Sequence, residues 1–343
     1  MRPHIAVVGA GSVGCYLGGR LAPHARITLV GRARIAAAIA AHGLTLSDLR
    51  GYQAHIDPSA LTYSTDIRAA ADADLVLVTV KSGSTEEIAN ELAAAFTRPT
   101  LVVSFQNGLH NAQRLRQRLP AHRVLAGMVP FNVLQRPPAA FHQGSSGELM
   151  VQSDPGLTPF LAAFSAAGLA LGQRMDMPAV LRAKLLLNLN NAINALSDLP
   201  LREELSQRAW RCCLGLAQQE ALGIFELARL PVARLTPIPT RWWPALLRLP
   251  NWLYQRAASR TLAIDPLARS SMWEDLQSGR PTEVDAIQGE VMALAASHGA
   301  RAPVNATLLA LVHEAERRRL PHNGAQVLSM LRRAHLVRES RQV

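Results

Sequence analysis

Short hydrophobic runs and segments of helical spacing alternate along the first half of the chain. The β-favouring runs occupy residues 4–8, 26–30, 75–80 and 100–105, and helical segments follow at 84–96 and 109–119. Strands that alternate with helices are typical of βαβ units in a parallel sheet. The run 75–80 is apolar almost throughout, which favours a strand covered on both faces. Residues 44–63 contain further short β-rich pieces, and the runs 124–133 and 148–152 are expected to close the sheet.

From about residue 178 onward the hydrophobic positions follow helical spacing. Helices are predicted at 178–197, 201–227, 242–258, 283–298 and 304–319. The sequence therefore predicts an α/β fold: an N-terminal domain with a Rossmann-type doubly wound sheet, residues 1–177, and an all-α C-terminal domain, residues 178–343. The proline-rich stretch 231–250 interrupts the helices, and we interpret it as an insertion or as a cover over a hydrophobic face. The basic tail 332–343 is expected to fray.

A glycine-rich turn joins the first strand to the first helix. Its residues, in G-x-G-x-x-G order, are Gly9, Ala10, Gly11, Ser12, Val13 and Gly14. The order strand, glycine turn, helix, strand is the context in which this pattern binds a dinucleotide. The glycines allow a tight turn and a close approach of the backbone, and the free N–H groups at the helix N-terminus bind the diphosphate. The turn therefore predicts a dinucleotide site.

Two arginines follow the second strand, where NAD sites usually have an acidic residue. The chain reads Gly31-Arg32-Ala33-Arg34 there, without a carboxylate. A carboxylate would repel the 2′-phosphate of NADP(H), whereas arginine binds phosphate through two parallel hydrogen bonds. Arg32 is therefore the leading candidate for that contact, and Arg34 is the second. The alternative is that both are solvated loop residues.

Polar residues also follow the strands at 75–80 and 100–105. Lys81 comes directly after the first of these runs, and Asn107 comes two residues after the second. Ligands bind beyond the carboxyl ends of parallel strands, so Lys81 is expected where cofactor and substrate meet. Asn107 is a candidate for hydrogen bonds to the nicotinamide ribose or to a substrate carbonyl. Its Asn-Gly context fits a plain turn equally well.

Lysine is rare in this chain, which makes its positions informative. Of 36 basic residues, only Lys81 and Lys184 are lysines. Arginine stays protonated near neutral pH, whereas a buried lysine can release its proton and act as an acid. In a helix, Lys184 shares one face with Asn188 and Asn191. This polar stripe fits either a substrate-lined wall with Lys184 as the acid or the solvated edge of a surface helix.

A polar block at 270–285 supplies further candidates. Ser271 and Glu283 are interpreted as facing Lys184, with Ser271 hydrogen-bonding the substrate and Glu283 acting as a carboxylate partner. A structural role for Glu283 is the alternative. Pro281 favours the first turn of a helix, and an acidic residue is favourable near a helix N-terminus.

Bulk composition narrows the class of protein. Hydrophobic residues make up 49% and charged residues 18% of the 343 residues, which is ordinary for a soluble globular protein. No apolar run is long enough to span a membrane and no signal peptide is recognisable, so a cytoplasmic location is expected. Three cysteines and scattered histidines give no metal-binding spacing. The net charge of +11 could indicate nucleic-acid binding, but the arginines are dispersed, and a phosphorylated cofactor with a generally basic surface accounts for it as well.

These motifs together resemble the ketopantoate reductases (2-dehydropantoate 2-reductases) over nearly the whole chain. The likeness rests on the glycine turn, Val-Lys-Ser at 80–82, Gln-Asn-Gly at 106–108, Lys184 with Asn188, and the block at 270–285. That block reads Ser-Ser-Met-Trp-Glu-Asp-Leu followed by Gly-Arg-Pro-Thr-Glu-Val-Asp. It is the most specific element, because other Rossmann dehydrogenases, such as the β-hydroxyacid dehydrogenases, also use a Lys-x-x-x-Asn pair.

The resemblance implies NADPH-dependent reduction of 2-dehydropantoate to pantoate, a step towards pantothenate and coenzyme A. It implies that Lys184 is the proton donor and that Asn188 and Ser271 contact the substrate. Glu283 matches an acid that contacts the cofactor and positions it or the lysine. The other residues that the resemblance places next to the cofactor are Lys81, Asn107 and, through its backbone, Val133.

The chain departs from the family pattern at two substrate-binding asparagines. Ala192 and Arg202 stand at those positions, and Asn191 or Asn194 would have to substitute for the first. The departures leave open another branched or bulky 2-keto acid, or a 3-hydroxyacid, as the substrate. A non-catalytic NADP-binding sensor is the alternative outside enzymes, and a homodimer is one of the open oligomeric states.

Overall fold

The chain divides into two units in the computed structural model, which describes residues 2–257, 268–318 and 322–339. The units are Met1–Pro178 and Ala179–Val343. All strands of the described residues belong to the first unit, whereas the described part of the second contains helices and their connections. The predicted fold class, an α/β Rossmann-type domain followed by an all-α domain, is confirmed.

Two sheets form the core of the N-terminal unit. Its strands are β1 His4–Val8, β2 Arg26–Val30, β3 Leu44–Asp48, β4 Gln53–Ile56, β5 Thr62–Ser64, β6 Leu75–Val78, β7 Leu101–Ser104, β8 Arg123–Met128, β9 Val133–Arg136, β10 Ala140–Gln143, β11 Leu149–Gln152 and β12 Leu171–Arg174. The larger sheet has the order β12-β11-β8-β7-β6-β1-β2-β5, and the smaller one has the order β4-β3-β10-β9. Six neighbouring strands of the larger sheet pair in parallel, in the order β8-β7-β6-β1-β2-β5. Strand β11 pairs antiparallel with β8.

The strand order of the larger sheet reverses between β1 and β6. Val8 pairs with Val30 on one side and with Val78 on the other. Val78 in turn pairs with Ser104, so the carboxyl ends of β2, β1, β6 and β7 are in register. The loops that follow these strands therefore open at the same edge. In open α/β sheets, the crevice at such a reversal is where ligands bind.

The first helix, α1 (Ser12–Leu21), packs against both sheets. Two adjacent glycines permit this packing. A Cβ atom on Gly18 would come within 2.4 Å of Leu29 in the larger sheet, and one on Gly19 would come within 2.8 Å of Leu46 in the smaller sheet. The prediction that the run 124–133 closes the larger sheet was right for β8 but wrong for its last residue. Val133 begins β9 of the smaller sheet. The sequence could not show this, because strand periodicity does not specify which strand is the partner.

The remaining helices follow the predicted pattern with several additional breaks. In the N-terminal unit they are α2 Ala33–His42, α3 Thr85–Ala95, α4 Asn111–Arg118 and α5 Thr158–Ala166. The later helices are α6 Met177–Asn188, α7 Asn190–Ser197, α8 Leu201–Ser206, α9 Arg208–Leu227, α10 Trp243–Leu247, α11 Asn251–Ala257, α12 Ser271–Gln277, α13 Val284–Ser297, α14 Pro303–Arg318 and α15 Gly324–Glu339. Residues 258, 319 and 340–343 of the predicted segments lie outside the described residues. The expectation that the tail frays from residue 332 was wrong as far as residue 339, where α15 ends.

The predicted helix 178–197 is interrupted at Leu189, between α6 and α7. Two side-chain amides reach the backbone there. Gln218 on α9 donates to the carbonyl of Leu186 at 3.0 Å, and Gln288 on α13 donates to the carbonyl of Leu189 at 3.1 Å. Side chains that insert into the helical hydrogen-bond ladder are a known cause of such breaks.

The proline-rich insertion is held against α9 by one buried arginine. Arg211 is fully buried, and its guanidinium lies 4.2 Å from the centre of the Tyr254 ring. It donates to the carbonyls of Leu205, Ser206, Leu247 and Leu249 and to the side chain of Asn251. Trp243 is buried, whereas Trp242 is exposed. The insertion therefore packs through one face onto the helical unit, as the interpretation of it as a cover requires.

Among the described residues, no helix has the length and hydropathy needed to cross a membrane. Within the same residues, no group of three histidine, cysteine or acidic side chains is arranged to hold a metal ion.

Candidate active site

The glycine turn after β1 depends on glycine at its first and last positions. Gly9 has φ of +105°, and a Cβ atom there would lie 2.5 Å from the backbone nitrogen of Val80. A Cβ atom on Gly14 would lie 2.4 Å from the carbonyl oxygen of Gly9. The hydroxyl of Thr79 donates to that same oxygen at 2.8 Å. The turn is thus packed tightly against the loop after β6, and larger side chains would separate the two.

The middle of the turn is open, in contrast to its ends. A Cβ atom on Gly11 would meet only the carbonyl of Gly9, at 3.9 Å, and the residue is exposed. Gly11 precedes α1, no side chain caps this helix, and its first turn contains no acidic residue. Helix geometry leaves the N–H groups of Ser12, Val13 and Gly14 without intrahelical acceptors. An uncapped helix N-terminus beside free space fits the diphosphate of a dinucleotide.

The two arginines after β2 lie at the N-terminus of α2. Arg32 is the residue directly before that helix, and both Arg32 and Arg34 are exposed. The hydroxyl of Tyr63 donates to the backbone carbonyl of Arg32 at 3.2 Å. Neither guanidinium has an ion-pair partner in the part of the chain that the structure describes. Positive side chains are unfavourable at a helix N-terminus, so an anion bound there would stabilise this arrangement.

Lys81 and Asn107 follow β6 and β7, and a buried hydrogen-bond network joins their two loops. The hydroxyl of Ser82 donates to the backbone carbonyl of Asn107 at 2.8 Å, and the amide of Asn111 donates to the same carbonyl. Asn111 also donates to Ser82 at 2.9 Å and contacts the Thr85 hydroxyl at 2.9 Å. Both candidate side chains are therefore carried on a fixed backbone.

Sequence reasoning missed this network because its members are ordinary polar residues. The fifth member, Gln106, donates from its amide to the Thr85 hydroxyl at 2.7 Å and accepts from Ser104 at 2.9 Å. Thr85 and Asn111 lie at the start of α3 and α4, so their side chains point back towards the strand ends. A polar residue at the first position of each helix after a strand was the available signal.

Val133 lies in the smaller sheet, at the first position of β9, and its side chain is buried in the core. Its backbone pairs with Gln143 on β10. The hydroxyl of Tyr16 on α1 donates to the side-chain oxygen of Gln143 at 2.9 Å. Val133 is thus connected to the helix that begins at the glycine turn, through strand and helix packing.

Lys184 lies on α6, and the residues on either side of it in the sequence are apolar. Its neighbours Ala183, Leu185 and Leu186 are buried, and the lysine itself is largely shielded from water. Burial disfavours the charged ammonium and lowers the pKa of Lys184 to about 8. A lysine with this pKa is protonated at neutral pH and can give up its proton at little cost, as a general acid must. The structure therefore excludes a fully solvated helix edge at Lys184.

The asparagines near Lys184 differ in their surroundings. Asn188, one helical turn further along α6, is buried, whereas Asn191 on α7 is half-buried. Asn194 is completely buried, and both ends of its amide are occupied. It donates to a carboxyl oxygen of Glu204 at 2.6 Å and to the carbonyl of Leu199 at 2.9 Å, and its oxygen accepts from a backbone N–H at 2.8 Å. Asn194 is thereby removed as a substitute for the missing substrate-binding asparagine.

The two departures from the family pattern are placed differently. Ala192 on α7 is fully buried, and Arg202 on α8 is exposed. Neither position can reproduce the neutral hydrogen-bonding amide that the resemblance led us to expect. Asn191, which is adjacent to Ala192 in the sequence and half-buried, remains the candidate for the missing substrate contact.

Ser271 and Glu283 each begin a helix of the C-terminal unit. Ser271 is the exposed first residue of α12, and the buried Ser270 before it caps that helix by accepting from the N–H of Trp273 at 3.1 Å. Glu283 lies directly before α13. The expectation that Pro281 occupies the first turn of this helix was wrong, because α13 starts at Val284. A carboxylate at the helix start is electrostatically favourable, so the structural role of Glu283 remains alongside the functional one.

Hydrogen bonds bring the starts of α12 and α13 to the break between α6 and α7. Ser270 donates from its hydroxyl to the carbonyl of Asn191 at 3.3 Å, and Gln288 of α13 donates to Leu189. The segments that carry Ser271, Glu283 and Asn188 therefore meet within the C-terminal unit. In the N-terminal unit, the contacts described above join the glycine turn to the loop with Lys81, and that loop to the one with Asn107.

Comparison with known proteins gives this arrangement a family. A Rossmann-type sheet with a glycine turn, followed along the chain by a helical unit, is an architecture found among dinucleotide-dependent oxidoreductases. The family models for ketopantoate reductase PanE/ApbA match residues 5–156, and those for its C-terminal part match residues 176–316. The chain therefore belongs to the ketopantoate reductase family, as its motifs suggested.

Individual relatives agree over almost the full length. The 2-dehydropantoate 2-reductase of Halobacterium salinarum is 29% identical over 329 residues, which are 91% of this chain and 99% of that protein. A PanE/ApbA family ketopantoate reductase from Ralstonia eutropha JMP134 superimposes with a TM-score of 0.78 at 28% identity, covering 92% of this chain and 99% of that one. D-mandelate dehydrogenase, solved with NADH and anilino(oxo)acetate, has a TM-score of 0.75 at 18% identity, with 92% and 99% coverage. This last similarity shows the fold alone.

Proposed function

We propose that the protein reduces 2-dehydropantoate to pantoate with NADPH, a step towards pantothenate and coenzyme A. The observation that carries the proposal is the largely buried ammonium of Lys184, whose pKa burial lowers to about 8. A binding protein or sensor has no need of a desolvated lysine one helical turn from a buried asparagine. A carbonyl reductase needs a proton donor of this kind, because negative charge develops on the carbonyl oxygen.

The proposed reaction adds a hydride and a proton across the keto group. When bound, the reduced nicotinamide supplies the hydride to the keto carbon. Lys184 donates a hydrogen bond to the carbonyl oxygen and then transfers its proton there, which yields the hydroxyl of the product. The neutral amine left on Lys184 regains a proton from water. Asn188 and Ser271 orient the substrate, and Glu283 positions the lysine or the cofactor.

The proposed cofactor contacts all lie in the N-terminal unit apart from Glu283. The backbone of the glycine turn, from Gly9 to Gly14, binds the diphosphate. Lys81 and Asn107 contact the nicotinamide and its ribose, and the backbone at Val133 makes a further contact. Arg32 binds the 2′-phosphate, so we propose NADP(H) rather than NAD(H); its exposure, and its lack of an ion-pair partner among the described residues, support this choice.

A second substrate class is supported by the departures at Ala192 and Arg202. Both replace amides that would hydrogen-bond a polar substrate, so a bulkier and less polar 2-keto acid would lose less by binding here. D-mandelate dehydrogenase, with the same fold, was solved with anilino(oxo)acetate, an aromatic oxo acid. An aromatic or branched 2-keto acid is therefore the second candidate.

The decisive experiment is the oxidation of NADPH by the purified protein in the presence of a panel of 2-keto acids. Ketopantoate is expected to give the highest kcat/KM among ketopantoate, branched and aromatic 2-keto acids. A higher kcat/KM with phenylglyoxylate than with ketopantoate would assign an aromatic 2-keto acid as the substrate. The absence of turnover with every 2-keto acid, in a folded protein that binds NADPH, would refute the enzyme assignment and leave the sensor.

A further inference from the structure

A buried carboxyl–amide pair in the C-terminal unit has no part in the reaction as proposed. Glu204 on α8 and Asn194 on α7 are both completely buried, and the amide of Asn194 donates to the carboxyl oxygen of Glu204 at 2.6 Å. Burying two polar side chains is unfavourable unless their hydrogen bonds are satisfied. The hydrogen bond between the two side chains therefore offsets part of the cost of burying them.

The pair extends to the start of α12. The oxygen of the Asn194 amide accepts from the backbone N–H of Ser270 at 2.8 Å, and Ser270 contacts the carbonyl of Asn191 through its hydroxyl. Ser270 is the capping residue of α12, and Ser271 follows it directly. A continuous chain of hydrogen bonds thus runs from Glu204 through Asn194 to the residue beside Ser271.

In its neutral form, the carboxyl group of Glu204 can accept the hydrogen bond from Asn194. Burial raises its pKa to about 8, against the opposing effect of the Asn194 and Asn190 amides. At neutral pH it is protonated, and it accepts from Asn194 without leaving a buried negative charge. A glutamine at position 204 would offer the same acceptor, whereas a leucine would fill the space and accept nothing.

We propose that Glu204 and Asn194 are positioning residues, whose hydrogen-bonded pair fixes the N-terminus of α12 and with it the place of Ser271 in the substrate site. The inference rests on the proposed function, in which Ser271 contacts the 2-keto acid. Ser271 itself is exposed and lies at the end of a short helix, so its position depends on what holds Ser270. The pair supplies that support from α7 and α8.

The test compares Glu204→Leu with the conservative Glu204→Gln. In Glu204→Leu the hydrogen bond to Asn194 is lost, and KM for the 2-keto acid is expected to rise about tenfold. The change in kcat should be smaller, and KM for NADPH should not change. Glu204→Gln should stay within about twofold of the wild type. Hydrogen exchange at the backbone amide of Ser270 should accelerate in Glu204→Leu alone. Asn194→Ala, which removes all three hydrogen bonds of the amide, serves as the second variant if Glu204→Leu does not fold.

A matched control lies elsewhere in the same unit. Asn305 on α14 donates to the buried carboxylate of Glu220 at 2.9 Å, far along the chain from α12. Asn305→Leu should lower the melting temperature without raising KM for the 2-keto acid. Equal rises in KM for Asn305→Leu and Glu204→Leu would show a general loss of stability and overturn the proposal.

The remaining outcomes separate this inference from the proposed function. An unchanged KM together with unchanged exchange at Ser270 in Glu204→Leu overturns the positioning role. Wild-type protein that turns over no 2-keto acid overturns the proposed function instead. In that case, the exchange at Ser270 alone decides whether the pair fixes the start of α12.

Discussion

The N-terminal and C-terminal units build their candidate sites from different parts of the chain. In the N-terminal unit the site consists largely of backbone: the glycine turn, the strand ends and the free N–H groups of α1. In the C-terminal unit it consists of side chains, among them Lys184 and Asn188, on helices that side-chain amides hold together. Gly9 is needed for its conformation, whereas Lys184 is proposed to contribute its proton, which burial makes easier to release.

This difference predicts how each site fails when it is altered. A backbone site depends on conformation and on close approach, so substitutions act through the fit of the ligand. A side-chain site in a desolvated environment depends on proton affinity, so substitutions act on the chemical step and leave the cofactor bound. The following predictions test this division, beginning with the largest expected effect.

Replacing the lysine should remove the chemistry and spare the cofactor. Lys184→Ala is expected to lower kcat about 10³-fold, because the proton donor at the carbonyl oxygen is lost. The Kd for NADPH, measured by fluorescence titration, should remain within about twofold of the wild type. Near-normal turnover in Lys184→Ala would show that Lys184 is not the acid.

The pH profile provides the control for the same residue. In the proposed mechanism the reduction uses the protonated form of Lys184, whose pKa burial lowers to about 8. We therefore expect kcat to be level below that pH and to fall about tenfold per unit above it. Oxidation of the hydroxy acid requires the neutral amine and should rise with pH over the same range. In Lys184→Arg, the residual rate should lose this dependence, since arginine does not release its proton there.

Two glycine substitutions should separate folding from cofactor binding in the N-terminal unit. In Gly9→Ala, positive φ and the contact with Val80 should destabilise the protein by about 1–3 kcal/mol and weaken NADPH binding. In Gly11→Ala, the new methyl meets free space in the protein but stands in the path of the diphosphate. Its melting temperature should match the wild type, while NADPH binds about 100-fold more weakly.

Equal melting temperatures with equal NADPH affinities in Gly11→Ala and the wild type would contradict the placement of the diphosphate. A loss of stability in Gly11→Ala comparable to that in Gly9→Ala would show that the open space beside Gly11 is not available to a ligand.

Removing one arginine should change cofactor preference by a smaller factor. Arg32→Ala is expected to raise KM for NADPH about tenfold and to leave KM for NADH unchanged, because only NADPH carries the 2′-phosphate. Arg34→Ala is the matched control and should have a weaker effect in the same direction. Equal kcat/KM of the wild type with NADH and NADPH would contradict the proposed preference for NADP(H).

The fold class and the parallel strands of the larger sheet could be predicted because their signals are local. The apolar run 75–80 predicts a buried strand, and the glycine pattern predicts a tight turn, from neighbouring residues alone. The break at Leu189 could not be predicted, since it is accompanied by hydrogen bonds from Gln218 and Gln288, which are distant in sequence. The place of β9 in a second sheet was hidden for the same reason.

The candidate site divides along similar lines. Arginine dominates the basic residues, so Lys184 stands out from composition alone. The sequence left Asn191 and Asn194 as alternative substrate contacts, because the partners of Asn194, Glu204 and Ser270, come together only in the folded unit. Spacing along one helix cannot show which amides are already occupied by other helices.

The glycine turn, the absence of an acid after β2, the two lysine positions and the division into an α/β part and a helical part are all evident from the amino-acid sequence. These features follow from residues that are adjacent or one helical turn apart, where backbone geometry and periodicity operate. The desolvation of Lys184, the hydrogen bond between Asn194 and Glu204, and the contact between the start of α12 and α7 are evident only in the folded protein. Desolvation and hydrogen-bond satisfaction depend on atoms contributed by distant segments, so they are settled only when the helices pack.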